Sequence, residues 1–335
     1  MSRSRPLQGI RFQGIRFQGI RLFGAMAAVA LVSTPQLATR TLWTAVGATS
    51  LQAGTARGVA ATPAARQAFA DVPGVRLWFT DTGGNGEPVV LLHAITGTSD
   101  SWQPQIATLA AQGYRVVAFD RRGWGKSLAD PASGPQPGQA SEDLHALAEY
   151  LSLDRFHLVG VAGGGFVALD YAAWHGDRLR SLVVGASTGS VSDEEIQDFI
   201  ARIEIPGIRA LPAHYREVGA SYRGANPQGI RRWREIEEHA RQQNAPTQPP
   251  RSPNTFAKLA TIAVPTLVMP ADADLIAPPG LMWVWANHVK DAQWVVVPAA
   301  GHSIAWEKPE VFNENLLRFL KGSGKFPRVK DVPRP

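Results

Sequence analysis

An α/β fold, a mostly parallel sheet with helices on both faces, is predicted by three observations. The 335 residues are 44% hydrophobic and 19% charged, enough apolar matter for a sizeable core. From Val75 onward, short β-branched runs alternate with amphipathic stretches, the pattern of β-α units. That alternation is interrupted once, between residues 189 and 258, by a segment rich in Arg, Glu and Pro with no convincing strand.

In chain order, the runs predict strands over 75–80, 89–93, 116–120, 157–161, 181–184, 266–269 and 294–297. Helices are expected over 103–112, 141–151, 165–175, 279–288 and 309–320. The core is thus expected in two pieces, 71–188 and 259–321. The interruption at 189–258 reads as a helical cap inserted after the strand at 181–184, over the carboxyl edge of the sheet. Helical periodicity within it is clearest at 193–202 and 229–241, and residues 243–253, dense in Pro, Gln and Asn, read as a loop. The Pro- and Lys-rich tail 322–335 is expected to fray.

The net charge of +6 is not a property of this folded part. Residues 1–70 hold eight arginines and no acid, and without them 26 basic residues face 28 acidic ones. A nucleic-acid partner is therefore not expected. The basic segment carries a near-repeat (QGIRF, QGIRF, QGIRL) and an apolar run over 22–32, the order of a secretory signal peptide. Residues 1–70 are read as a leader, removed or disordered, and export to the periplasm or beyond is the expectation. Small-x-small cleavage candidates follow at Gly54-Thr55-Ala56 and Ala68-Phe69-Ala70. An organellar transit peptide and a misassigned start, which would leave the protein cytoplasmic, remain open. Eleven mostly apolar residues are too few for a stable membrane span. With no cysteine, disulfides, thiolate nucleophiles and Cys-metal sites are excluded.

Leu158-Val159-Gly160-Val161-Ala162-Gly163-Gly164-Gly165-Phe166 follows an apolar strand and opens a helix, with small residues on both sides of position 162. A strand that turns this sharply into a helix strains its apical residue and needs small neighbours two positions away, the steric logic of G-x-S-x-G. Here the pattern is Gly160-x-Ala162-x-Gly164. The stretch also fits a relaxed dinucleotide fingerprint, but the next strand ends in Gly185-Ala186 and offers no acid to hold a ribose. A P-loop at Gly125-Lys126-Ser127 fails because Asp120 stands where its first glycine must be.

Four further segments fall into an order that resembles the α/β-hydrolase superfamily, over roughly residues 75–320. Leu91-Leu92-His93-Ala94-Ile95-Thr96-Gly97 resembles the family's His-Gly loop, and Phe119-Asp120-Arg121-Arg122-Gly123-Trp124-Gly125-Lys126-Ser127 its D-x-R-G-x-G-x-S turn. Residues 264–274 are similar to the strand and loop that carry the acid of the catalytic triad, and Pro298-Ala299-Ala300-Gly301-His302-Ser303 to the histidine loop. The resemblance implies His302 as base, Asp274 as its acid with Asp272 as competitor, and the backbone N–H groups of Ile95 and Gly163 as an oxyanion hole. It puts Ala162 at the nucleophile position, without a hydroxyl. Trp124 and His93 are the expected substrate-contacting residues, although His93 also reads as a brace for its loop. No cofactor and no metal is implied, and the expected partner is a small molecule. Oligomeric state is not legible.

Alanine excludes an acyl-enzyme at 162, while a histidine oriented by a carboxylate can still take a proton from water or substrate. The expected function is therefore His-Asp general-base chemistry on a small apolar ester- or lactone-like compound. A non-catalytic small-molecule binder stays open, because function lives in the site and not in the scaffold. So does a serine esterase whose nucleophile was exchanged for alanine, although Ala94 and Ala271 also depart from the family's pattern and favour a native alanine. An assembly role for Arg231-Arg232-Trp233-Arg234 is weaker, since Glu235, Glu237 and Glu238 beside it read as an ordinary solvated helix.

Overall fold

The computed structural model describes residues 65–335. The apolar run at 22–32 and the candidate cleavage site at 54–56 lie outside them. The leader boundary expected at residue 70 falls inside a strand, β1 (Arg66–Val72), which pairs antiparallel with β2 (Val75–Asp81) over its full length. Two runs of alternating character flank Pro73-Gly74, and Gly74 takes φ 80°, a turn conformation glycine adopts without steric cost. A cut at Ala68-Phe69-Ala70 would therefore remove most of β1.

Seven further strands complete the sheet: β3 (Pro88–Leu92), β4 (Arg115–Phe119), β5 (Leu128–Ala129), β6 (Phe156–Val161), β7 (Leu179–Gly185), β8 (Thr266–Met269) and β9 (Gln293–Trp294). The order is β1-β2-β4-β3-β6-β7-β8-β9, with β5 paired to β2. Pairing is parallel from β4 to β9 and antiparallel around β2. The central strands read as continuous apolar runs because both of their faces are covered. Val90, Leu92, Leu158 and Val184 pack on one side with the helices Ala140–Tyr150, Gly163–Trp174 and Pro279–Ala286. Val89, Leu91, Val159 and Val183 pack on the other with Gln103–Ala111 and Pro309–Leu320.

The insertion leaves after β7, the seventh strand along the chain because β1 and the two-residue β5 escape periodicity. Its helices are Glu194–Ile203, Ala213–Glu217, Ala220–Ala225 and Pro227–Glu238, and a single turn, Phe256–Leu259, leads back to β8. Residues 243–253 form no helix or strand, in line with their composition.

The tail is not frayed as expected. β9 is an edge strand, and the tail covers its open side: Trp294 N donates to Pro327 O at 2.9 Å and Val329 N to Ala292 O at 2.8 Å. Trp283 Nε1 donates to Val329 O at 3.1 Å, and Val329 is buried. Regular pairing of β9 stops at Trp294, short of the expected 297, although Val297 still bridges Ala271. If the tail is part of the core, Val329→Ala should lower unfolding free energy by about 2 kcal/mol in a denaturant titration, where a frayed residue would change it by almost nothing.

Candidate active site

Ala162 occupies the turn between β6 and the helix Gly163–Trp174, which begins two residues earlier than periodicity indicated. Its φ of 50° and ψ of −119° place a non-glycine residue in left-handed territory, a strain of about 1–3 kcal/mol that the surroundings must hold. They do so from both sides of the peptide: Ala162 N donates to Gly185 O at 3.0 Å, and Ser187 Oγ donates to Ala162 O at 2.7 Å. A Cβ on Gly160 would lie 2.5 Å from Gly164 O, and one on Gly164 would fall on Leu92 O. Both positions must be glycine for the turn to close.

His302 and Asp274 meet. Nδ1 of His302 lies 2.8 Å from Asp274 Oδ2, and both residues are buried. Asp274 Oδ1 accepts from the backbone N–H groups of Ile276 (2.8 Å) and Ala277 (2.9 Å), so this carboxylate braces the turn into the helix Pro279–Ala286 while facing the imidazole. Asp272, the competing acid, is exposed to solvent and outside hydrogen-bonding reach of His302. Burial alone would depress the His302 pKa. The neighbouring Asp274 carboxylate and its hydrogen bond, with Glu217 and Glu307 behind, outweigh burial and hold it above the ordinary 6.5. A carboxylate acceptor fixes the proton on Nδ1 and leaves Nε2 as the basic nitrogen.

His93 is fully buried with both ring nitrogens committed: Nδ1 donates to Ala94 O at 2.7 Å, and Nε2 accepts from Arg121 N at 3.0 Å. Burial, and then the Arg121 charge, push its pKa well down, so it stays neutral. It ties the loop after β3 to the loop after β4, the brace that the sequence also suggested, and while both ring nitrogens are engaged there the residue still lines the cavity beside His302.

The N–H groups of Ile95 and Gly163 donate to none of the turn and loop carbonyls among the described residues. They do not share a cavity with His302. His302 lines a cavity of about 40 Å³ with His93, Ala94, Thr96, Val161, Trp233 and Ser303. Ile95 and Gly163 line another of about 480 Å³, with Trp124, Phe166 and the loop around Gln248. The two lie back to back along the chain: Ala94 and Val161 belong to the first, Ile95 and Gly163 to the second, and Ala162 stands between. Trp124 is buried and donates from Nε1 to Ile95 O at 2.7 Å, so it supports that loop as well as lining the larger cavity.

The cap contributes residues that no motif marked. Glu217 is buried and accepts a hydrogen bond from Thr96 Oγ1 at 2.5 Å, while its carbonyl accepts from Ser303 N at 2.8 Å. Burial pushes its carboxyl up, partly offset by His302. Glu307 Oε2 accepts from Gly219 N (2.9 Å) and Gly301 N (3.0 Å), and Trp233 Nε1 donates to Ser303 Oγ at 3.0 Å. Cap and histidine loop are thus clamped by three separate contacts. A cap glutamate has no spacing signal in the sequence; only the Thr-bearing loop it meets was visible.

A model of the alpha/beta hydrolase family matches residues 89–315. The chain belongs to that family. Within it, the chain is 28% identical over 270 residues to the 2-hydroxy-6-oxononadienedioate/2-hydroxy-6-oxononatrienedioate hydrolase of Paraburkholderia phymatum, covering 73% of this chain and 91% of the relative. Its structure is similar to a thermophilic esterase from Thermogutta terrifontis, solved with malate bound, at a TM-score of 0.65 and 25% identity over 78% of this chain and all of the esterase. The fold is also that of the enol-lactonase from Burkholderia xenovorans LB400, at a TM-score of 0.62 and 23% identity over 76% of this chain and 99% of the enzyme. This alpha/beta hydrolase has no helix among the described residues long and apolar enough to cross a membrane.

Two outcomes test the site's construction. Gly164→Ala should cost about 3 kcal/mol or more in a denaturant titration, since backbone rather than a movable side chain blocks the new methyl. In a proton NMR titration, the His302 ring signal should have its midpoint above 6.5, and Glu217→Gln should move it down by removing one of the charges that raise it. Because the folded value exceeds the unfolded one, His302's contribution to stability is complete below about pH 6.5 and is lost as pH rises through the folded value.

Proposed function

We propose that this alpha/beta hydrolase cleaves a small ester- or lactone-like compound by direct attack of water, with His302 as general base and without an acyl-enzyme. One observation carries the reading: His302 is held in a single tautomer by Asp274, itself pinned by two backbone N–H groups, so Nε2 is the free basic atom. Ala162, proposed here to occupy the family's nucleophile position, has no oxygen to give up a proton. The base must then act on something mobile.

In the proposed step, His302 Nε2 takes a proton from water as its oxygen bonds to the substrate's carbonyl carbon. The carbonyl oxygen becomes an oxyanion, met by the N–H groups of Ile95 and Gly163. Collapse breaks the bond to the leaving oxygen, which takes the proton back from His302. Ester and water become acid and alcohol, and the histidine ends neutral. The step needs the space beside His302, about 40 Å³ and room for a water, to open at Ala162 onto the cavity of about 480 Å³ beside Ile95 and Gly163, which has room for a small organic molecule. The names of the relatives, a dioate hydrolase, an esterase and an enol-lactonase, support a carbonyl substrate.

The test uses p-nitrophenyl acetate and a γ-lactone with the parent protein, His302→Ala and Ala162→Ser. His302→Ala should lower kcat about 100-fold or more, the usual worth of a general base. Ala162→Ser should raise turnover and produce an initial burst, because it restores a hydroxyl at the turn. Parent activity should rise with pH through a midpoint above 6.5, as His302 loses its proton. No turnover by either the parent or Ala162→Ser would overturn the reading in favour of a protein that binds without converting.

A further inference from the structure

The larger cavity contains two arginines without carboxylate partners. Arg121, on the loop after β4, and Arg241, at the end of the cap helix region, both stack on Trp124, their guanidinium carbons 4.2 and 4.1 Å from the ring centroid. All three residues line the cavity. Among the described residues neither arginine forms an ion pair. Arg121 is buried, 6% exposed, and its Nε–H has no hydrogen-bond partner. Its side chain reaches only the Ala94 carbonyl, at 3.4 Å, and Arg241 only that of Ala245, at 2.5 Å.

The adjacent Arg122 shows how this loop treats an arginine that has a structural partner. It grips Asp143 with two bonds of 2.6 and 3.0 Å and two backbone carbonyls besides. The acid that lines the large cavity, Asp170, is already committed to Lys258, Ser141 and the backbone of Arg251. Stacking on an aromatic face recovers only part of what burying a guanidinium costs, and two like charges on one ring add to that cost. Burial and the charge of Arg241 push the Arg121 pKa down to about 9.

The arrangement is built rather than incidental. Residues 240–242 of the cap run antiparallel to the loop after β4: Gly125 N donates to Ala240 O at 2.8 Å and Gln242 N to Gly123 O at 2.9 Å. Gln242 Nε2 adds bonds of 3.0 and 2.6 Å to the carbonyls of Gly125 and Ser127. Core and cap thus each deliver one arginine to the same indole, with the backbone register setting their separation.

We propose that the large cavity takes a substrate bearing a carboxylate, which docks on Arg121 and Arg241 beside Trp124 while the reacting carbonyl lies toward Ile95 and Gly163. The carbonyl end rests on the function proposed above; the carboxylate contact does not require turnover. A guanidinium pair with free N–H edges matches the two oxygens of a carboxylate, and a bound anion would relieve the mutual repulsion of the two cations.

Calorimetric titration of the full chain with monomethyl succinate and with dimethyl succinate, at fixed ionic strength, tests this directly. The parent should bind the monoanion at least about tenfold more tightly than the neutral diester, and Arg241→Gln should erase about tenfold of the monoanion's affinity and leave the diester unchanged. Arg121→Gln should do the same; if that buried variant does not fold, Arg241→Gln, at a residue that is only half-buried, decides alone. His302→Ala should keep the preference; failed turnover by both the parent and Ala162→Ser, with the preference intact, would sink the catalytic reading and leave this one standing. Equal binding of the two probes by the parent, binding of neither, or an equal loss of both in Arg241→Gln would overturn the carboxylate site.

Discussion

The turn at Ala162 is the constraint on which the rest of the site depends. For β6 to reverse into its helix within one residue, Gly164 must sit against Leu92 O, Gly160 against Gly164 O, and Gly165 against Ser187. Those contacts draw together the carboxyl ends of β3, β6 and β7, and with them the N–H groups of Ile95 and Gly163. The cost is a strained residue, held in place by the Gly185 carbonyl and the Ser187 hydroxyl. Such strain persists where the surroundings over-determine it, as they do here.

Around that turn, buried charge is handled in two ways. Asp120 accepts from Ser99 N and Lys126 N, Arg122 pairs with Asp143, Asp274 pairs with His302, and Glu307 is held by Gly219 and Gly301. Each is a charge or acid whose desolvation is offset, for Glu307 through one of its two oxygens, by named donors or a counter-charge. Arg121 and Arg241 depart from this pattern and do so in the cavity large enough for a ligand. The contrast between Arg121 and its neighbour Arg122 gives the departure its meaning, because sequence, loop and burial are otherwise shared.

The cap does more than cover the sheet. Glu217, Gly219 and Trp233 hold the loop that carries His302, while residues 240–242 hold the loop that carries Trp124. The loop of His302 and the loop of Trp124 are therefore attached to neighbouring stretches of the same insertion.

What the sequence by itself determined is local. The alternation of apolar runs set the parallel sheet, small residues about Ala162 set the sharp turn, and the resemblance of residues 264–274 and 298–303 to the family's acid and histidine loops marked two side chains that the fold brings within 2.8 Å. Each of these signals lies within a dozen residues, where backbone sterics and periodicity operate. Tertiary structure decided the rest. β1 began inside a basic, acid-free segment whose charge suggested a leader, and the tail was hidden by its prolines and lysines; both form because an open sheet edge recruits a partner, which composition does not encode. His93 became a brace because two loops distant in sequence use both its nitrogens. Glu217 and Arg241 reached the site from a cap whose path no local pattern specifies, and the separation of His302 from Ile95 and Gly163 into adjoining cavities followed from that same packing.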